Sequence, residues 1–174
     1  MSDLDGEDIV CRLVPLSHTE KGPGRTLDPK WNRRPTFSEF RTGDEDEDEM
    51  RERGLTEPRF SVWKLPFVLD EVAQVRAVKR GTDAAIAVAT VRHTEEEYGV
   101  PFYLRVRAIL ALRSEEAGTR LRVLLDPYPS LADVIPAAAA HAAIEGLQRR
   151  GPKGPMKLLR KKLADLAQLR PSDC

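Results

Sequence analysis

The stretch YLRVRAILALRSEEAGTRLRVLLD, residues 103–126, decides the reading of the fold. Leu104, Val106, Ala108, Leu110 and Leu112 alternate with Tyr103, Arg105, Arg107, Ile109, Ala111 and Arg113. After a turn over residues 114–118, Leu121, Val123 and Leu125 alternate with Arg120, Arg122 and Leu124. Alternation at period two marks a strand with one buried face, so the stretch predicts a β-hairpin. Keeping the two apolar rows on one side fixes the register, because a one-residue slip would turn every apolar side chain outward. Arg113 then faces Arg120, Arg107 faces Asp126, and Arg105, Arg107, Arg113, Arg120 and Arg122 share the outer face. Guanidinium groups at alternate strand positions stand about 7 Å apart, comparable with phosphates along a nucleic-acid strand. The bland alternative is a solvated sheet face whose arginine stems cover apolar surface.

Upstream, Phe60, Val62 and Trp63 predict a short strand over residues 60–65, and Pro66 suits the first position of a helix. Val68, Val72, Val75 and Val78 give that helix one apolar stripe, Asp70 and Glu71 favour its start, and Lys79, Arg80 and Gly81 favour its end. Residues 84–92 hold alanines that permit a helix, but Ile86, Val88, Thr90 and Val91 are β-branched, and we read a strand. Residues 9–16 suggest an edge strand, broken by Pro15.

Downstream, Asp126 to Pro129 reads as a proline turn, and Ser130 with Asp133 resembles a capping box. The alanine-rich run from Ala137 to Leu147 reads as a helix that Gly151, Pro152 and Pro155 bring to an end. A last amphipathic helix places Met156, Leu159, Leu163 and Leu166 on one stripe, with Lys157, Arg160 and Lys161 elsewhere. These elements predict an α+β fold: a small antiparallel sheet of three to four strands packed on one face by helices. Residues 58–174 form the single α+β domain, ending in the basic helix, and residues 1–57 an extended or partly disordered acidic arm. The run from Asp44 to Glu49 should stay solvated within that arm, or lie over the basic surfaces and compete with an anionic partner.

At 174 residues the chain is sized for one core. Its 41% hydrophobic and 32% charged residues exclude a wholly disordered chain. The formal net charge of +0 argues against a dedicated nucleic-acid binder, although charge is unevenly distributed: acidic through Glu57, basic from Arg149 to Arg170. Cys11 and Cys174 are too few for a disulfide framework and read as free thiols. With no secretory pattern at the start and no apolar run of about 20 residues, a cytoplasmic protein without a membrane span is expected.

Catalytic signatures are weak. His18, His93 and His141 stand apart, without metal-ligand spacing, and no nucleophile elbow or phosphate-binding loop is present. His141 and Glu145 would share a helix face at i and i+4, a spacing common in structural helices. Pro152 and Pro155 remove backbone donors that a phosphate cradle over residues 151–155 would need. No cofactor or metal is implied.

Two functions remain ahead of an enzyme assembled from distant residues. One is a non-enzymatic accessory module that binds a protein partner, with Trp31, Phe37 and Phe40 as aromatic anchors beside the terminal helix. The other is nucleic-acid or anion binding through Arg105, Arg107, Arg113, Arg120, Arg122, Lys157, Arg160 and Lys161.

Overall fold

The structure, a computed structural model, describes residues 2–21, 33–40, 42, 44–55, 58–114, 119–147 and 153–174. Five strands form the main sheet: β1 (Ile9–Val14), β4 (Phe60–Lys64), β5 (Val100–Arg105), β8 (Arg122–Leu125) and β9 (His141–Glu145), in the order β5-β1-β4-β9-β8. All its pairings are antiparallel. Two small hairpins lie outside it, β2 (Thr19–Lys21) with β3 (Arg33–Pro35), and β6 (Arg113–Ser114) with β7 (Thr119–Arg120). Seven α-helical segments, α1 (Asp44–Arg53), α2 (Leu69–Lys79), α3 (Ala84–Thr90), α4 (Glu95–Tyr98), α5 (Val106–Ala111), α6 (Pro129–Ala132) and α7 (Lys153–Leu166), are described together with four short 3-10 turns. The α+β class and the antiparallel sheet stand as expected, with five strands in place of three to four.

Apolar residues fill both faces of the sheet, so helices pack on two sides rather than one. Val10, Phe60, Val62, Phe102, Leu104, Val123 and Ile144 meet Val106 and Ile109 of α5 and Met156, Leu159 and Leu163 of α7. On the other face Cys11, Leu13 and Trp63 meet Val72 and Val75 of α2, Tyr98 of α4, Ile135, and Ala137 and Ala138 of the 3-10 turn Pro136–Ala140. The stripe on α7 works as its spacing predicts, each of its three fully buried side chains contributing about 1.5–3 kcal/mol of burial. In α2, Val72 and Val75 are buried, whereas Val68, the residue before its start, is exposed. Pro66 follows a cis peptide bond with Leu65 and stands ahead of α2, which begins at Leu69.

Four expectations are corrected. The strand β5 ends at Arg105 because its partner β1 begins at Ile9, which pairs with Arg105, leaving no ladder beyond. The chain then coils into α5, whose first amides donate to the carbonyls of Asp8 and Gly6. Residues 84–90 are helical: the Asp83 carboxylate accepts from the amides of Ala85 and Ile86, an N-cap that outweighs the β-branched side chains. Residues 141–145 form β9, not a helix, held between β4 and β8 where alanines fit a strand covered on both faces. His141 and Glu145 therefore share a strand face, not a helix face. Finally, β1 lies inside the sheet, so residues 9–14 of the expected arm are core, and the acidic run from Asp44 is helical in α1. The Arg113–Arg120 pairing occurs as expected, within the β6–β7 hairpin.

Candidate functional site

The five hairpin arginines do not form one face. Arg105 ends β5, Arg107 lies in α5, Arg113 and Arg120 belong to the small hairpin, and Arg122 begins β8. Three of them face carboxylates from the first residues of the chain. Arg105 Nη1 stands 3.4 Å from Glu7 and its Nη2 donates to the Cys174 carbonyl at 3.3 Å, while Arg107 pairs with the same Glu7. Arg122 bridges Asp3 at 3.0 Å and Glu145 at 3.9 Å. Arg107 opposite Asp126 is thereby overturned: α5 has carried Arg107 out of any strand. The Arg113 side chain lies outside the described residues, and Arg120 is exposed.

On α7, Lys157 and Lys161 are exposed and Arg160 is half-buried. Lys161 lines a cavity of about 240 Å³ with Glu20, Arg34, Pro35, Ala164 and Asp165. Arg34 holds Glu20 at 2.8 Å and stands 3.8 Å from Asp165, so this cavity sets two cations beside two carboxylates. Of the aromatic anchors, Trp31 and the side chain of Phe37 lie outside the described residues. Phe40 is fully buried against Phe60, ring centroids 5.6 Å apart, and serves the chain's own core.

A buried polar network joins β4, β8 and β9. His141 is 3% exposed, stacked on Tyr128 and edge-on to Trp63. Its Nδ1 lies 2.7 Å from the Asp126 carbonyl and 4.0 Å from the Asp126 carboxylate, and its Nε2 lies 3.1 Å from Ser61 Oγ. This sequence of serine, histidine and aspartate resembles a nucleophile, its base and an orienting acid, but the groups are committed elsewhere. The Asp126 carboxylate accepts two hydrogen bonds from Arg53, at 2.9 and 2.8 Å, with Arg59 3.6 Å away. Burial alone would raise the Asp126 pKa; the Arg53 hydrogen bonds and charge, with His141 and Arg59, outweigh it and hold the carboxyl below its usual range. Burial lowers the His141 pKa against the opposing pull of Asp126, so the ring is kept neutral between two aromatic walls. The network fastens α1 to the sheet and buries the imidazole.

The other histidines are also occupied. His18 Nδ1 meets the buried carboxylate of Glu39, which Arg12 holds from the other side at 3.0 Å, and His93 Nε2 lies 2.9 Å from the Gly99 carbonyl. Among the described residues, no group of three or more His, Cys, Asp or Glu is arranged to hold a metal ion. Among the described residues, no helix is long and apolar enough to cross a membrane.

Sequence reasoning missed α3. Ala84 and Val91 of its inner side are half-buried and Ala87 is buried, while Ala85, Ile86, Val88 and Ala89 face outward. Ile86 is 56% exposed and Val88 37%. A helix apolar on every side belongs in an interior, yet this one has solvent on half its circumference. The signal was present in the sequence: no charge interrupts the run between Asp83 and Arg92. Beyond α3 the chain returns to the start of α2, where the amide of His93 donates to Asp70 at 2.9 Å. Comparison with family models, with curated proteins and with solved structures finds no match to this chain.

Proposed function

We propose that the protein is a non-enzymatic interaction module that engages a protein partner through the outer face of α3. The observation carrying this reading is the exposure of Ile86 and Val88 on a helix without a charged residue. Because Ile86 is 56% and Val88 37% exposed, a partner that covered them would recover about half or less of the roughly 1.5–3 kcal/mol of full burial for each. Of the surfaces first expected to bind a partner, Phe40 lies in the core and the apolar stripe of α7 packs on the sheet, while Trp31 and the Phe37 side chain lie outside the described residues. The ion pairs of Arg105, Arg107 and Arg122 count against the nucleic-acid reading, because displacing Glu7 and Asp3 would consume part of any phosphate contact.

The test places a photo-cross-linking phenylalanine analogue at position 86, or at 105, 120 or 157, in the full chain expressed in cells. Protein adducts from position 86, with none from 105, 120 or 157, are expected. Silence at position 86 overturns the reading, and nucleic-acid adducts from 120 or 157 would replace it with the other.

A further inference from the structure

We infer that Cys11 and Cys174 form a reversible disulfide, a redox latch that ties the segment following α7 to the β5 edge of the sheet. The two cysteines lie far apart in sequence, and the fold brings them to one place. The register sets Cys11 of β1 directly opposite Tyr103 of β5, and Ile9 opposite Arg105. Residues two apart on a strand point the same way, and opposed residues share a side, so Ile9, Cys11, Tyr103 and Arg105 line one face. On that face Cys11 and Tyr103 pack with Leu13 and Trp63.

The segment after α7 is fixed to the same strand at two points. Gln168 exchanges two backbone hydrogen bonds with Tyr103, at 2.7 and 2.9 Å. Beyond it the 3-10 turn Pro171–Asp173 leads to Cys174, whose carbonyl accepts from Arg105 Nη2 at 3.3 Å. Cys174 is thereby held beside the row that contains Cys11. Electrostatics agree with this placement. Burial, then Cys11 and Cys174, push the Tyr103 pKa up to about 12. Burial is also the main cause that raises Cys11, and Cys174 adds to it against the opposing charge of Arg12. The two thiols are therefore within electrostatic reach of each other and of one tyrosine.

Cys11 is fully buried and Cys174 half-buried, so an oxidant meets Cys174 first. With a small-molecule disulfide as oxidant, the Cys174 thiolate attacks one of its sulfurs, forms a mixed disulfide and expels one thiolate. Cys11 then gives its proton to water and attacks the Cys174 sulfur, expelling the second thiolate. Two protein thiols are oxidised to one disulfide, and the reagent is reduced to two thiols. Burial keeps Cys11 protonated, which reserves it for a sulfur already delivered beside it. Cys174 Sγ donates to the Arg170 carbonyl at 3.9 Å, a weak hydrogen bond that the reaction gives up. Joining residues so distant in sequence restricts the unfolded chain, and whatever the disulfide adds to the fold, the fold returns to the disulfide.

The test equilibrates the purified full chain with mixtures of reduced and oxidised glutathione, in native buffer and in about 6 M guanidinium, and counts thiols, adducts and disulfides by mass after an acid quench. An intramolecular disulfide is expected in native buffer, with an equilibrium constant at least about a hundredfold above that in denaturant. Cys11→Ala is expected to stop at a single glutathione adduct on Cys174, and Cys174→Ser to stay unmodified. Should Cys11→Ala fail to fold, the wild type and Cys174→Ser decide alone. A native wild type that stops at the adduct, or that links to a second chain through Cys174, overturns the proposal. So does an equilibrium constant equal in the two solvents, or a folded Cys174→Ser chain that takes up glutathione on Cys11.

Discussion

Thr42 buries its hydroxyl at 1% exposure, and Oγ1 has no hydrogen-bond partner among the described residues. An unsatisfied buried hydroxyl costs about 1–3 kcal/mol of desolvation, whereas a methyl group of the same shape costs nothing of the kind. Thr42→Val is therefore expected to raise stability by about 1 kcal/mol, read as a higher denaturant midpoint at constant slope. A lower midpoint would show that the hydroxyl is satisfied. Arg76 presents the opposite case. Burial and the neighbouring charges of Arg80 and Arg12 bring its pKa down to about 10, yet Nη1 donates to the Tyr98 carbonyl at 2.7 Å, so the buried cation is held rather than orphaned.

At the scale of elements, α4 enters β5 through Gly99, whose φ of +102° lies in the region that favours glycine. A Cβ there would stand 2.8 Å from the backbone carbonyl of Val14, on the neighbouring strand β1. Neither atom belongs to a side chain that can swing aside. Gly99→Ala is expected to cost more than about 2 kcal/mol, combining backbone strain with displacement of β1 from β5. A melting temperature within about 2 °C of wild type would contradict the close approach.

The same junctions explain what the sequence could and could not disclose. The helix α7 was legible from its stripe of Met156, Leu159 and Leu163, and the strand β4 from its aromatic and β-branched run, even though Trp63 faces the opposite side from Phe60 and Val62. Residues 106–111 were not, since Val106, Ala108 and Leu110 satisfy period two while Val106 and Ile109 satisfy a helical turn. The chain chose between them on the absence of a partner strand past Ile9. The strand β9 was hidden for a different reason: a central strand buried on both faces loses alternation, and alanine's helical preference of a few tenths of a kcal/mol yields to four residues of pairing on either side. The candidate site failed with the strands. Once residues 84–92 were read as extended, the outward Ile86 and Val88 could not be seen as the uncovered half of a helix.

For the whole molecule, each edge strand of the main sheet is capped in part by a neighbouring segment among the described residues. Leu4 and Leu125 donate to the carbonyls of Val123 and Ser2 along β8, and Tyr103 and Gln168 exchange two hydrogen bonds along β5. These contacts cap part of each edge strand and so oppose strand addition there.

Acid should open this molecule in two stages, because its interior holds two groups whose protonation the fold opposes. His141 is kept neutral by burial, its folded pKa below the unfolded value of about 6.5, so the unfolded chain binds the proton first. Its contribution is full above about pH 6.5 and declines as pH falls from there through the folded pKa, by about 1.4 kcal/mol for each unit between the two. Asp126 is also depressed below its unfolded value near 3.9: the Arg53 bonds and charge, with His141 and Arg59, overcome the burial that would raise it. Its contribution is intact above about pH 4 and disappears as pH falls through the folded pKa, releasing the Arg53 anchor of α1. Denaturant midpoints measured between about pH 8 and 3 should therefore show a first decline beginning near 6.5 and a second beginning near 4. His141→Gln should flatten the first and Asp126→Asn the second, each at lower overall stability. A profile with no decline until pH 4 in the wild type would mean that His141 takes up its proton without resistance, and that the aromatic walls around it admit water.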